Sequence, residues 1–233
     1  VAEPDARAVG VVLPAGGSGT RMAAEGAPAK QFRLLGGAPV WTRALGAFAR
    51  HPAVGEAVVV VPAGAEGAVA DRLADLGLRA TVAAGGPTRR ASVANGVAAL
   101  PAAVDLVLVH DAVRPFVPAA VVARVVGAAR QSGAAAAAVP VADTLRRGGD
   151  GPLFGETVDR TGLWAMQTPQ AARRDWLERA IANAAGPATD EAELLQRAGH
   201  PVRIVEGDAR LFKLTRPSDW RLAEALWPVW EGG

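Results

Sequence analysis

The chain contains no cysteine and no tyrosine, and histidine and methionine are scarce. Without cysteine there is no disulfide framework and no thiolate chemistry, and redox state does not fix a compartment. Charge excess is also missing: 25 Lys and Arg stand against 23 Asp and Glu, a formal charge of +2. The sequence pI of about 9.9 overstates basicity, because little titrates between the carboxylates and the basic groups. This balance carries no nucleic-acid footprint. No apolar run nears the ~20 residues of a membrane span. The first residues show no basic stretch followed by an apolar core. The expectation is a cytoplasmic enzyme with neither nucleic-acid nor membrane partners.

Half of the 233 residues are hydrophobic, enough to build the core of one α/β domain. Short apolar runs at Val9–Leu13, Val58–Val61, Leu78–Ala83, Leu106–Val109 and Gly133–Val139 read as strands. Helical spacing fills the gaps, over Pro39–Ala49, Ala65–Leu76, Arg90–Leu100 and Ala119–Gln131. Such alternation predicts a mostly parallel sheet covered on both faces. The rhythm breaks at Pro140. Two short strands around the Gly148–Pro152 turn predict a hairpin projecting as an arm. Trp164–Gln167 returns to the body. A helix is then expected over Ala171–Ala185, and another over Asp190–Ala198 capped by Thr189. Strands at Val202–Glu206 and Leu211–Leu214, the latter carrying Lys213, precede a last helix opened by Pro217.

The chemistry begins after the first strand. Pro14 stops it, and Gly16, Gly17 and Gly19 allow a turn whose amides approach a ligand closely. Arg21 and Lys30 follow, so a strand, a bare glycine loop and two cations form an anion cradle. The loop ends Gly19-Thr20-Arg21, which is no Walker A loop. Met22 occupies the third-glycine position of a dinucleotide fingerprint. Asp111 ends a buried strand, at the edge where open α/β sheets bind ligands. It is a candidate to hold Mg²⁺ against phosphates, or else a cap or partner for Arg114. His110 reads as a structural histidine.

Leu13-Pro14-Ala15-Gly16-Gly17-Ser18-Gly19-Thr20-Arg21-Met22 with Lys30 resembles the nucleotidyltransferase superfamily. Residues 109–116, Val-His-Asp-Ala-Val-Arg-Pro-Phe, with Gly85-Gly86, Arg89 and Ser92-Val93, resemble a narrower family, the 2-C-methyl-D-erythritol 4-phosphate cytidylyltransferases. Asp143-Thr144, Thr157-Val158-Asp159-Arg160, Leu163-Trp164, Gln167-Thr168-Pro169-Gln170, Thr189-Asp190-Glu191-Ala192 and Lys213-Leu214-Thr215-Arg216-Pro217 follow that family in order.

The resemblance implies a single cytidylyltransferase domain over residues 1–233, with a three-layer Rossmann-like fold and a dimerisation β-arm within residues 140–168. It implies CMP transfer from CTP to 2-C-methyl-D-erythritol 4-phosphate, a step of non-mevalonate isoprenoid biosynthesis. Pro14, Ala15, Gly16, Gly17, Ser18 and Gly19 would wrap the nucleotide, with Gly86 and Ser92 completing the cytidine pocket. Arg21 and Lys30 would stabilise the transition state, and Asp111 would help hold Mg²⁺ or another divalent ion. Thr144, Arg160, Thr168 and Lys213 would bind the acceptor. In a homodimer whose arms swap, Thr144 and Arg160 would serve the neighbouring site. A cytidylyltransferase for another polyol phosphate, such as ribitol 5-phosphate, remains an alternative, as does a non-catalytic nucleotide-binding regulator. Three departures stand out: Gly17 for an alanine, Pro87 for an aspartate near the nucleotide, and Leu211 for an asparagine before the Lys213 segment. Asp208 reads as an exposed turn residue rather than a metal ligand.

Overall fold

The computed structural model describes residues 8–17 and 29–230. In chain order its elements are β1 (Ala8–Pro14), β2 (Leu34–Leu35), β3 (Ala38–Pro39), α1 (Val40–Ala49), β4 (Glu56–Val61), α2 (Glu66–Asp75), β5 (Thr81–Ala84), α3 (Arg89–Ala98), β6 (Val104–Val109) and α4 (Ala119–Ser132). There follow β7 (Ala134–Pro140), β8 (Leu145–Gly148), β9 (Phe154–Val158), β10 (Trp164–Arg173), α5 (Arg174–Asn183), α6 (Glu191–Arg197), β11 (Arg203–Glu206) and α7 (Pro217–Leu226). Seven strands form one sheet in the order β11-β7-β10-β6-β1-β4-β5. All its pairings are parallel except those of β10, which runs antiparallel between β7 and β6. No helix among the described residues is long and apolar enough to cross a membrane.

The period-two alternation of β1 builds the layers. Val9, Val11 and Leu13 face Trp41, Leu45 and Phe48 of α1 and the valines of α4. Val12 faces the other way, toward Val93 and Val97 of α3 and Leu177 and Ala180 of α5. Fully burying each such side chain contributes about 1.5–3 kcal/mol, so the center of the sheet is the rigid part on which ligand-binding ends can be mounted. Gly96 lets α3 sit directly on β1: a Cβ there would lie 2.4 Å from Val12 Cγ1. The run of alanines in β7 is a poor strand former by propensity. It is buried between β10 and β11 all the same, because small side chains let α4 pack closely over it.

Three expectations shift. The segment expected to open a helix at Ala171 is strand through Arg173; Ala171 and Ala172 pair with both neighbouring strands before α5 begins. The β10–β7 register shifts between Met166 and Gln170, across Pro169, which has no N–H to give a ladder. Leu211–Leu214 is no strand: a 3-10 turn (Ala209–Leu211) leads into extended chain pinned by Leu214 N–H to Val113 O at 3.0 Å. Asp190, rather than Thr189, caps α6 by accepting from Glu193 N–H at 2.9 Å. Thr189 instead donates its N–H and hydroxyl to the Glu193 carboxylate.

The arm takes the predicted form. β8 and β9 pair antiparallel, apart from the main sheet, with Leu145 opposite Val158. Leu153 and Phe154 at its turn are exposed. At the other end of the chain, α7 packs on β2–β3 and on the segment after β6, burying Leu35, Val113, Phe116, Leu214 and Trp220 together.

Candidate active site

β1, β6 and the N-terminus of α3 converge on a cleft of about 490 Å³. Pro14, Ala15, Gly16, Gly17, Lys30, Gly86, Ser92, Asp111 and Lys213, drawn from five separate stretches of sequence, line it together. Ser18, Gly19 and Arg21 lie outside the described residues. Gln31, Arg89 and Ala112 also line the cleft.

The start of the glycine loop is held at both ends. Ala15 N–H donates to Val60 O at 2.7 Å. Buried Gln31 donates its side-chain amide to Ala15 O and Gly17 O, each at 2.7 Å. Nothing in the sequence marked Gln31, because an amide that clamps carbonyls fourteen and sixteen residues away has no local pattern. On the opposite wall, Ser92 Oγ accepts from Gly86 N–H at 3.1 Å and donates to Thr88 O at 3.0 Å. Its hydroxyl shapes the turn that presents Gly86. Pro87 lines the cleft with no polar side-chain group.

Asp111 is the electrostatic center. It is 8% exposed, yet three cations reach it from three elements. Lys213 Nζ lies 3.0 Å and Arg114 Nε 3.2 Å from Oδ2, and Arg89 Nη2 lies 3.6 Å from Oδ1. Burial alone would raise the Asp111 carboxyl; the three cations outweigh it and hold it well below the usual carboxylate range. Arg89 in turn forms a two-pronged pair with Glu191, at 2.5 and 3.0 Å. Burial works against the Arg89 charge, but Glu191 beside it raises the guanidinium above its ordinary range. Burial pushes the Glu191 carboxyl up, with Arg89 opposing. Among the described residues that line the cleft, Lys30, Arg89 and Lys213 stand against the single carboxylate of Asp111, so the cleft is a preorganised anion site.

Behind Asp111 lies an interior hydrogen-bond chain. The Thr168 hydroxyl accepts from Asp111 N–H at 3.1 Å and donates to His110 Nδ1 at 3.0 Å, and His110 Nε2 donates to Arg114 O at 3.0 Å. His110 is fully buried, and burial pushes its pKa down to about 4, so the ring is neutral. Thr168 is itself buried and does not line the cleft; the structure places it as a strut that orients Asp111. Thr144 and Arg160 are exposed on the arm and outside this cleft. Leu211 points into the core, and its carbonyl accepts from Arg114 Nη1 at 2.5 Å. The segment leading to Lys213 is therefore anchored through its backbone. Asp208 caps the turn before Leu211 and pairs with Arg210 at 2.7 Å.

Among the described residues no group of three His, Cys, Asp or Glu side chains is placed to hold a metal ion. The donor set still fits Mg²⁺ bound mainly through substrate phosphates, which needs only one or two protein carboxylates. Asp111 is ionised and lines the cleft, and its Oδ1 is the less engaged oxygen.

A glycine loop after the first strand of an open α/β sheet, facing a cation-ringed carboxylate at the end of a central strand, defines a nucleotidyltransferase. Residues 9–228 match the family described as IspD: 2-C-methyl-D-erythritol 4-phosphate cytidylyltransferase. The chain belongs to that family. It is 51% identical over 225 residues to the 2-C-methyl-D-erythritol 4-phosphate cytidylyltransferase of Salinibacter ruber, covering 94% of this chain and 93% of the relative. It is 48% identical to a bifunctional enzyme IspD/IspF of Anaeromyxobacter dehalogenans, covering 94% of this chain but only 57% of that protein. The crystal structure of the 2-C-methyl-D-erythritol 4-phosphate cytidylyltransferase from Thermus thermophilus superposes with a TM-score of 0.79 at 40% identity, covering 94% of this chain and 98% of that one.

Proposed function

We infer that the chain transfers CMP from CTP to 2-C-methyl-D-erythritol 4-phosphate, giving 4-diphosphocytidyl-2-C-methyl-D-erythritol and pyrophosphate. The observation that carries this reading is the convergence of Lys213, Arg114 and Arg89 on Asp111 across from the clamped glycine loop. A phosphate oxygen of the acceptor attacks the α-phosphorus of CTP. A new P–O bond forms as the bond to the β-phosphate breaks and pyrophosphate leaves. The acceptor phosphate has a second pKa near ~6 and is already a nucleophile at neutral pH, so no side-chain base is required. The difficulty is bringing a dianion against a triphosphate, and it is met by positioning and charge.

In this assignment Pro14 to Gly19 and Gly86 receive the nucleotide, with Ser92 setting the shape of the pocket wall. Arg21 and Lys30 stabilise charge on the phosphoryl group in flight. Lys213 orients the acceptor phosphate. Asp111 is the carboxylate that would bear on Mg²⁺, which supplies charge neutralisation on the triphosphate. Thr168 acts on the acceptor side through Asp111. Thr144 and Arg160 come from the arm of a second subunit in a C₂ homodimer, because a two-stranded hairpin is a poor independent structure and its exposed Leu153 and Phe154 call for a partner surface. The working compartment we assign is the cytoplasm.

The test is incubation with CTP, Mg²⁺ and either 2-C-methyl-D-erythritol 4-phosphate or ribitol 5-phosphate, measuring pyrophosphate. The reading expects kcat/KM to favour the first acceptor clearly. Faster turnover of ribitol 5-phosphate, or CTP binding with no pyrophosphate from either acceptor, overturns it.

A further inference from the structure

Glu191 is a buried carboxylate, 2% exposed, that the transfer chemistry does not touch. It opens α6, and its position is fixed from β10. Gln170, itself buried, donates to Asp190 Oδ2 at 3.0 Å and accepts from Ala192 N–H at 2.9 Å. Asp190 caps the same helix. Two conspicuous sequence stretches, Gln167–Gln170 and Thr189–Ala192, are thus bound to each other, and the side chain they fix in place is Glu191.

Glu191 engages Arg89 with both oxygens. Arg89 opens α3, where Thr88 Oγ1 caps the helix by accepting from Ala91 N–H at 3.1 Å, and it lines the cleft. The Nη2 that bonds Glu191 is 3.6 Å from Asp111 Oδ1, outside hydrogen-bond range. The guanidinium therefore lies between two carboxylates and is bonded to the buried one. A guanidinium deprived of one carboxylate closes on the next, because the forked geometry favours a two-pronged pair. Here that next carboxylate is Asp111, whose Oδ2 already accepts from Lys213 and Arg114. Closure would take the last open oxygen of Asp111 and draw the Arg89 donors away from the cleft.

We propose that Glu191 is a positioning residue for the nucleotide: it holds Arg89 as a fixed cation on the cleft wall and keeps it off Asp111. The proposal rests on the nucleotide-transfer reading of the cleft. Of the five N–H donors of Arg89, two are occupied by Glu191, which leaves others on a side chain at the cleft wall to meet the triphosphate.

Glu191→Gln removes the charge and keeps the shape; Arg89→Gln removes the cation. Each is measured for CTP affinity by calorimetry, for KM of CTP and of the polyol phosphate, for kcat, and for Tm. The expected result is a loss of about tenfold in CTP affinity for either variant, a parallel rise in KM for CTP, and less than a twofold change in KM for the acceptor. The double variant should bind CTP no worse than Arg89→Gln alone, since Glu191 acts only through Arg89. A crystal structure of Glu191→Gln should show Arg89 within hydrogen-bond distance of Asp111 Oδ1. Wild-type CTP affinity in Glu191→Gln, or additive losses in the double variant, overturns the proposal. If Glu191→Gln does not fold, Arg89→Gln decides alone, and unchanged CTP affinity in it is the overturning result. Wild-type protein that binds CTP but makes no pyrophosphate would overturn the transfer reading and leave this one standing on its binding data.

Discussion

Charged residues occupy opposite environments in the cleft and on the arm. At the cleft, Asp111 is nearly buried and its cations arrive from α3, from the segment after β6 and from the segment before α7. Each partner is held by the body of the fold, through a helix cap, a backbone carbonyl or a packed core. On the arm, Arg147 and Glu156 pair at 2.8 Å, but their side chains are 67% and 72% exposed. An ion pair of that kind contributes about 0.2–1 kcal/mol and fixes little. A residue in the cleft gets its position from the sheet. Arg160 has its backbone held by the turn back to the sheet, where its carbonyl accepts from Leu163 N–H at 3.0 Å, but the residue is exposed and lies outside the cleft.

The sharpest break of this contrast is at the cleft itself. Lys213→Ala should cut kcat by about 10²–10³-fold with a smaller loss of urea-unfolding free energy than Asp111→Asn, because Lys213 is 38% exposed and Arg114 and Arg89 stay beside Asp111. Asp111→Asn should lose activity to a similar degree and stability as well. It leaves Arg114 and Lys213 without the carboxylate they share, and breaking a buried pair costs about 3–5 kcal/mol. Normal turnover in the folded fraction of either variant would make these residues structural only.

The arm is tested by mixing. Lys30→Ala damages a site through the body and Arg160→Ala through the arm, so each homodimer should be nearly inactive. Unfolded and refolded together, half the dimers are mixed, and each mixed dimer holds one undamaged site if the arm acts across the interface. About a quarter of wild-type activity should then return. Activity that stays at the level of the parents would place Arg160 in its own subunit's site and dissolve the contrast.

A subtler difference is acid sensitivity. His110 is held neutral, with a pKa of about 4 in the folded chain against about 6.5 unfolded. The unfolded chain takes up the proton first as pH falls, so stability drops between about pH 6.5 and pH 4, by on the order of 3 kcal/mol. Asp111 is also shifted downward, so its contribution is lost at lower pH, as pH falls through and below the unfolded carboxylate range. Urea unfolding at pH 7 and pH 5 should show the slope in the wild type and not in His110→Gln. An equal slope in both would assign the acid sensitivity to other groups. The smallest effect belongs to the arm: Glu156→Ala should change stability by under about 1 kcal/mol, and a larger loss would show that the hairpin is braced more firmly than its exposure implies.

What was legible in advance follows from what kind of force sets each feature. β1, β4, β6 and their helices announce themselves through local periodicity, since an apolar alternation or stripe has one way to be buried. β10 did not, because Gln167, Thr168 and Gln170 are polar residues inside a strand. They are buried there only because their side chains find partners in His110, Asp111, Asp190, Ala192 and Asp208, which are distant in sequence. The Leu211–Leu214 segment shows the reverse error: it has the composition of a strand, but it bonds to Val113 and Arg114 in the segment after β6, which hold it as extended chain outside the sheet.

By itself the sequence determined the alternating α/β architecture, the glycine turn after the first strand, the hairpin that breaks the rhythm, and the residue types able to manage phosphate charge. Those are properties of short windows, where sterics and hydrophobic period act between near neighbours. Only the tertiary structure decided that Gln31 clamps the loop, that Thr168 supports Asp111 from behind, and that Glu191 holds Arg89. Each depends on a buried polar group meeting its complement from another element, and a buried polar group is stable only where the assembled fold supplies that complement.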